Sequence, residues 1–155
     1  MKKTRRFVAL LLAAVLALAL FTACGAAQPT IGEQYEKWFV EQLNGYLRPD
    51  DEPIQKVECP EMRAALAKLG KDGKFKAKEG CYHKGKEYWM ILSDPIALDV
   101  PGESDVEAVA LTPENMTKYG AERLVVSMLW GNAIKYDIAT RVIDGKTYAA
   151  VYLHI

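Results

Sequence analysis

Residues 135–155 read KYDIATRVIDGKTYAAVYLHI, and this stretch decides the fold. Its Asp144-Gly145 pair is a dipeptide that favours a type I′ turn, which joins two antiparallel strands through a two-residue loop. The turn predicts that Lys135–Ile143 pairs with Lys146–Ile155, and it sets which residues stand opposite each other. One face of the hairpin then carries a mainly apolar set that we expect to face the core: Tyr136, Ile138, Thr140, Val142, Thr147, Ala149, Val151 and Leu153.

The other face of this hairpin is polar and aromatic. The predicted register pairs Asp137 with Tyr152, Arg141 with Tyr148, Lys135 with His154, and Ala139 with Ala150. A floor of small residues ringed by polar side chains suits a polar ligand, and the candidate ligand-facing residues are Asp137, Arg141, Tyr148, Tyr152 and His154. The alternative is the ordinary solvated face of an antiparallel sheet. An open face also predicts that Arg141→Ala or Tyr148→Ala leaves stability nearly unchanged.

A second hairpin is predicted over Phe75–Ser93, with its turn near Lys84-Gly85. Its second strand, Tyr88–Leu92, is apolar on both faces, which indicates a central strand covered on both sides. Segment 113–130 is open between a helix and a strand, and its content of Ala, Glu, Arg, Leu and Met favours the helix.

Two helices are predicted ahead of the sheet. Thr30 and Glu33 have the spacing of a capping box, and apolar residues recur at helical intervals over 31–47. Pro60 suits the first turn of a second, shorter helix that ends at Gly70. The elements together predict an α+β fold, in which N-terminal helices pack on one face of a small antiparallel sheet that includes the C-terminal β-hairpin.

The beginning of the chain has the pattern of an export signal. Four basic residues precede the 15 apolar residues Phe7–Phe21, a stretch shorter than the ~20 residues of a membrane-spanning helix. The residues that follow, Thr22-Ala23-Cys24, together with Phe21 resemble the lipobox of bacterial lipoproteins. In that class, a peptidase cleaves before the cysteine after the thiol has been lipidated.

The resemblance to lipoproteins implies a placement and a set of boundaries. Residues 1–23 would be the signal peptide, 24–30 the lipidated Cys24 with a short tether, and 31–155 a single globular α+β domain. Acyl chains such as palmitate on Cys24 would anchor the protein to a bacterial membrane, facing outside the cytoplasm, because more than one chain gives stable anchoring. The alternative is an ordinary secretory signal that is cut near Ala27, with Cys24 discarded.

Composition excludes some partners. Removal of residues 1–23 takes away four basic residues and no acidic ones, which leaves 16 basic against 20 acidic residues and a net charge of −4. Nucleic acids and anionic lipid headgroups bind to basic surfaces, so neither is an expected partner. The basic cluster between Lys68 and Lys78 is interrupted by one acidic residue, Asp72, and by two glycines.

Besides Cys24 the chain has two cysteines, Cys59 and Cys81. An exported chain folds where disulfides form, so a disulfide between them is the favoured interpretation, and two buried free thiols are the alternative. A metal site is not expected, since His83 lies near Cys81 but the chain lacks the paired short spacings of a zinc site. No cofactor is expected either.

Catalytic motifs are absent from the sequence. It contains neither a Gly-x-Ser-x-Gly elbow nor a His-Glu-x-x-His pair, and no glycine-rich phosphate loop. We therefore expect a non-catalytic binding or interaction module of the cell envelope, whose partner is an envelope protein or a small polar ligand. Two alternatives stay open: an envelope hydrolase that uses carboxylates at Asp137 or in the Asp94–Asp99 loop, and a protein inhibitor or immunity factor that presents a rigid loop at Pro95–Pro101.

Overall fold

The computed structural model describes residues 28–120 and 134–155. Its helices are α1 (Ile31–Asn44), α2 (Pro60–Ala67) and the single-turn α3 (Ala77–Gly80), with 3₁₀ turns at Ala97–Asp99 and Met116–Tyr119. Its strands are β1 (Gln55–Lys56), β2 (Lys74–Lys76), β3 (Cys81–Lys84), β4 (Glu87–Ile91), β5 (Ser93–Asp94), β6 (Asp105–Ala108), β7 (Ala110–Leu111), β8 (Lys135–Ile143) and β9 (Lys146–His154). The predicted signal peptide, Cys24 and segment 121–130 lie outside the described residues. The described helices include none long and apolar enough to cross a membrane.

The strands form two sheets. The central sheet has the order β1-β8-β9-β4-β3, and β7 also pairs with β9. Its pairings are antiparallel except for the short parallel contact between β1 and β8. A smaller antiparallel sheet has the order β2-β6-β5. The predicted α+β fold class is confirmed.

The C-terminal hairpin has the predicted register. Asp144 and Gly145 both have positive φ, 49° and 77°, as a type I′ turn requires. The resulting cross-strand pairs are Asp137–Tyr152, Arg141–Tyr148, Lys135–His154 and Ala139–Ala150. The local chemistry of one turn therefore sets the pairing along nine residues of each strand.

Helix α1 packs on the face of the hairpin that the sequence predicts as core, but this face is exposed near the turn, at Thr140 and Val142. The helix begins with the predicted capping box between Thr30 and Glu33. Its side chains Tyr35, Phe39 and Leu43 are fully buried, and they belong to the same apolar cluster as Tyr136, Ile138, Val151 and Leu153 from the hairpin. The apolar residues of α1 recur at helical intervals and those of the two strands at every second position, so each set forms one apolar face, and the two faces pack against each other.

Helix α2 packs on the opposite face of the sheet. It begins at Pro60 as predicted, and its Met62 and Leu66 are buried against Ile91, Ala150 and other residues of the second face. The prediction that both helices lie on one face differs from the structure, in which a helix covers each face. The physical reason is that the small residues between the tyrosines of this face leave room for a helix to approach the strands.

The second hairpin is shorter than the predicted Phe75–Ser93. Strand β4 pairs with both β3 and β9, which confirms its predicted central position. Phe75, by contrast, lies in β2 and pairs with Val106 in the smaller sheet. The single turn of α3 separates β2 from β3, so these residues cannot continue one strand.

The helix favoured for 113–130 does not begin at residue 113. Residues 113–120 form turns and the short 3₁₀ segment Met116–Tyr119. Thr112 and Asn115 exchange side-chain hydrogen bonds with each other's backbone N–H groups, and Asn115 also donates from its amide to the Ala110 carbonyl. These local bonds compete with helix formation.

Candidate functional site

The predicted ligand-facing residues lie mostly beneath helix α2. Asp137 is fully buried, Tyr148 and Tyr152 are buried, and Arg141 is half-buried. His154 alone of these five side chains is exposed. The prediction of an open surface here is therefore wrong, because the protein's own helix occupies the small-residue floor.

Asp137 binds the beginning of α2. One carboxylate oxygen accepts hydrogen bonds from the Cys59 backbone N–H at 2.9 Å and from Arg63 Nε at 2.8 Å. The other accepts from Arg63 Nη2 at 2.6 Å. This bidentate contact raises the pKa of Arg63. The carboxylate considered as a catalytic acid thus has a structural partner.

Arg141 binds the other end of α2. Its Nη1 donates to the carbonyls of Leu66 at 3.1 Å, Ala67, and Leu69 at 2.8 Å. The last carbonyls of a helix have no partner within it, and a cation near them also interacts favourably with the helix dipole. Two hairpin side chains, Asp137 and Arg141, therefore hold both ends of α2.

The tyrosines of this face are also engaged. The Tyr152 hydroxyl donates to Glu87 Oε1 at 3.1 Å, and burial together with that bond raises the pKa of Tyr152 to about 12. A Cβ at Gly73 would lie 3.6 Å from the Tyr148 hydroxyl, and Gly73 has a φ of +70° that favours glycine. The ring of Tyr148 is thus covered by the loop that follows α2.

A concave site lies beside α2. A groove of about 560 Å³ opens between this helix, strand β4 and the β2–α3 segment. Its lining residues are Glu61, Ala64, Ala65, Lys68, Leu69, Lys74, Phe75, Lys78, Glu79, Trp89 and Ile91. The size is within the range of ligand sites, roughly 300–1,000 Å³.

Apolar and charged residues occupy different parts of the groove. Leu69 and Ile91 are buried, and Ala65, Phe75 and Trp89 are partly buried, so these five form its floor. The charged lining residues are all exposed and form its rim: Glu61, Lys68, Lys74, Lys78 and Glu79. The groove thus has an apolar centre surrounded by exposed charge.

The rim carries three lysines, Lys68, Lys74 and Lys78, and two glutamates, Glu61 and Glu79. Lys78 forms an ion pair with Glu103, with Nζ and Oε1 2.6 Å apart. Lys68 and Lys74 form no ion pair with any residue in the described ranges 28–120 and 134–155. Two ammonium groups at the groove are therefore available to an anionic group.

Cys59 and Cys81 are free thiols in the structure, so the favoured disulfide is not formed. The reason is their placement: Cys59 belongs to the cluster under α2, whereas Cys81 packs against the cluster that contains α1 and against a small separate cluster around Ala77. Burial raises the pKa of both thiols. A raised pKa keeps a thiol protonated and weakly nucleophilic at neutral pH.

The other candidate chemistry in the described part of the chain is dispersed. Asp94, the last residue of β5, and Asp99, in the 3₁₀ turn Ala97–Asp99, are exposed at the two ends of a short loop, in which the Ala97 N–H donates a hydrogen bond to Ser93 Oγ. The Pro95–Pro101 segment considered as an inhibitory element overlaps this loop. No group of three or more His, Cys, Asp or Glu side chains within the described residues is arranged to hold a metal ion.

Comparison with known proteins finds no matching family model, no similar curated protein and no similar solved structure. The groove beside α2 is not among the sites predicted from the sequence. Two signals pointed towards it: the lysines between Lys68 and Lys78 in an otherwise acidic chain, and Trp89 in an apolar strand. Trp89 is expected in the core from its pattern, but it is only partly buried and lines the groove.

Proposed function

We propose that this protein is a lipid-anchored, extracytoplasmic lipoprotein that acts as a non-catalytic interaction module, and that the groove beside α2 is its binding site. The groove, with its apolar floor and charged rim, is the single observation that carries the binding role. An apolar centre with a polar, accessible rim is the usual anatomy of a protein–protein interface. The anchor at Cys24 rests on the lipobox resemblance.

The distribution of polar groups favours a protein partner over a small molecule. Sites for small molecules combine an apolar pocket with a few well-placed polar groups that orient the ligand. The polar lining residues of this groove are instead exposed side chains at its edge, such as Lys68 and Glu61. The buried carboxylate of Asp137 is bonded to Arg63 of α2.

The anchor is tested by labelling a bacterial host that expresses the full chain with an alkyne fatty acid. The expected result is label on the wild-type protein and recovery in the membrane fraction, with both lost in Cys24→Ser. Cys81→Ser is the matched control and should keep the label. Unlabelled wild-type protein that appears in the soluble fraction would contradict the anchor.

The groove is tested by a photo-crosslinking amino acid placed at Ala64, an exposed position on its wall. In envelopes of the native host we expect a discrete crosslinked product, which mass spectrometry identifies. The control position is Thr140, which is exposed on β8 and does not line the groove. Equal crosslinking from both positions would contradict a binding role for the groove.

A further inference from the structure

We propose that the groove binds an acidic peptide segment that carries an aromatic or branched apolar side chain, supplied by a partner protein. This inference rests on the proposed binding function and adds the chemical class of the partner. Its two parts come from two features of the groove: the apolar floor accepts the anchor side chain, and the lysine rim accepts the carboxylates.

The apolar floor of the groove is the basis for the aromatic or branched side chain of the proposed peptide. Trp89 and Phe75 are only partly buried although both are large aromatic residues, and they lie beside the buried Leu69 and Ile91. Aromatic and branched side chains that enter such a site lose apolar surface to water, and residues of this kind dominate binding energy at protein interfaces.

The lysines of the rim are the basis for the acidic residues of the proposed peptide. Segment 68–78 holds five lysines and one aspartate, in a domain whose net charge after residue 23 is −4. Lys76 and Lys78 pair with Asp105 and Glu103, whereas Lys68 and Lys74 keep no such partner among the described residues. Because Glu61 and Glu79 also line the rim, the positive charge is confined to the part of the groove next to Lys68 and Lys74. This part attracts an acidic segment, while the excess of acidic residues elsewhere in the domain repels it.

The charges also predict a direction along the groove. Glu61 lies in the first turn of α2 and Lys68 is its C-cap, seven residues later. At 1.5 Å per residue their backbones are about 10 Å apart. The acidic part of the bound segment is expected near Lys68 and Lys74, away from Glu61.

The test measures fluorescence anisotropy of dye-labelled hexapeptides with the full chain purified in a non-ionic detergent. The probes are DEFLDE, which is acidic with an apolar centre, SQFLSQ, which is neutral with the same centre, and DESGDE, which is acidic without it. We expect DEFLDE to bind at least tenfold more tightly than either of the others at 50 mM salt. Higher salt should weaken DEFLDE and leave SQFLSQ unchanged, because salt screens exposed charges.

Three variants assign the binding to the groove. Lys68→Glu combined with Lys74→Glu should weaken DEFLDE about tenfold or more, since it replaces attraction by repulsion. Lys71→Glu is the matched control, because Lys71 is exposed in the same loop and does not line the groove; we expect less than a twofold effect. Ala64→Trp fills the groove without changing charge and should abolish binding. Circular dichroism checks that each variant is folded, and the paired Lys→Ala variant replaces the glutamates if they unfold the chain.

The outcomes separate this inference from the proposed function. Preference for DEFLDE that the paired lysine variant removes and Lys71→Glu retains supports the inference. Equal binding of DEFLDE and SQFLSQ, both lost in Ala64→Trp, overturns the acidic class and leaves the groove as a binding site. Peptide binding that persists in Ala64→Trp, or no binding of any probe, overturns the inference, and crosslinking at Ala64 then decides the proposed function independently.

Discussion

Replacing Arg63 with methionine should destabilise the protein, because it leaves the buried carboxylate of Asp137 without its charged partner. Asp137 is fully buried and accepts three hydrogen bonds, two of which come from Arg63. The variant keeps only the bond from the Cys59 N–H. Methionine preserves most of the side-chain stem, so the loss of the guanidinium is the main change.

The size of the effect follows from the burial of each partner. Breaking a buried ion pair by removing one member costs about 3–5 kcal/mol. The Arg63 side chain is 40% exposed, however, so water can reach part of the space it leaves and solvate the carboxylate. We therefore expect a loss of about 2–3 kcal/mol in the free energy of unfolding, or roughly 5–10 °C in Tm for a chain of this length.

Urea denaturation followed by tryptophan fluorescence measures this loss. The double variant Arg63→Met with Asp137→Asn should recover part of the lost stability, because asparagine removes the buried charge and keeps an oxygen that can accept from the Cys59 N–H. Glu58→Gln is the control: Glu58 is exposed and lies 4.0 Å from Arg63 Nε, so its loss should change stability by less than about 0.5 kcal/mol. An Arg63→Met variant as stable as the wild type would refute the argument that Asp137 holds α2.

Four further predictions concern other buried groups. Arg141→Ala removes the donor to three carbonyls at the end of α2 and should cost about 1–3 kcal/mol in a thermal melt; an unchanged Tm would restore the prediction of an open face. Tyr88→Phe removes a buried hydroxyl that has no hydrogen-bond partner in the described residues, and it should raise stability by about 1 kcal/mol in urea; a loss would mean that the hydroxyl is bonded. Thiol titration of the unreduced chain should detect Cys59 and Cys81 only slowly when native and fully after unfolding; their absence after unfolding would indicate a disulfide. The pKa of Tyr152 is raised from 10.0 to about 12, so the folded state holds the tyrosine proton up to a higher pH than the unfolded state does. The protonated Tyr152 therefore contributes fully to the free energy of unfolding below pH 10, and this contribution is lost as the pH rises to about 12. Tyr152→Phe should reduce that fall in a series of melts, and an identical pH profile would contradict it.

Patterns within short segments predicted the local structure well. The capping box at Thr30, the proline at the first turn of α2 and the Asp144-Gly145 turn each act through residues a few positions away. Such signals do not depend on the rest of the chain. They therefore sufficed for the helix starts and for the register of the C-terminal hairpin.

The candidate site could not be predicted in the same way. The polar face of the hairpin looked solvated because Asp137 and Arg141 have no partner nearby in sequence. Their partners in α2 are more than 70 residues away, and only the folded chain brings them together. The groove likewise combines three segments, 61–69, 74–79 and 89–91, each of which reads as an ordinary helix, loop or core strand.

By itself, the sequence determined the class of the fold, the pairing within the hairpin and the face of α1 that is buried, because turn chemistry and apolar periodicity are local properties. The tertiary structure decided that α2 crosses to the second face of the sheet, that Asp137 is neutralised by Arg63, and that the lysines after α2 surround an apolar groove. These depend on which distant surfaces meet, and two faces that both carry tyrosines and small residues leave that choice to the packing of the whole chain.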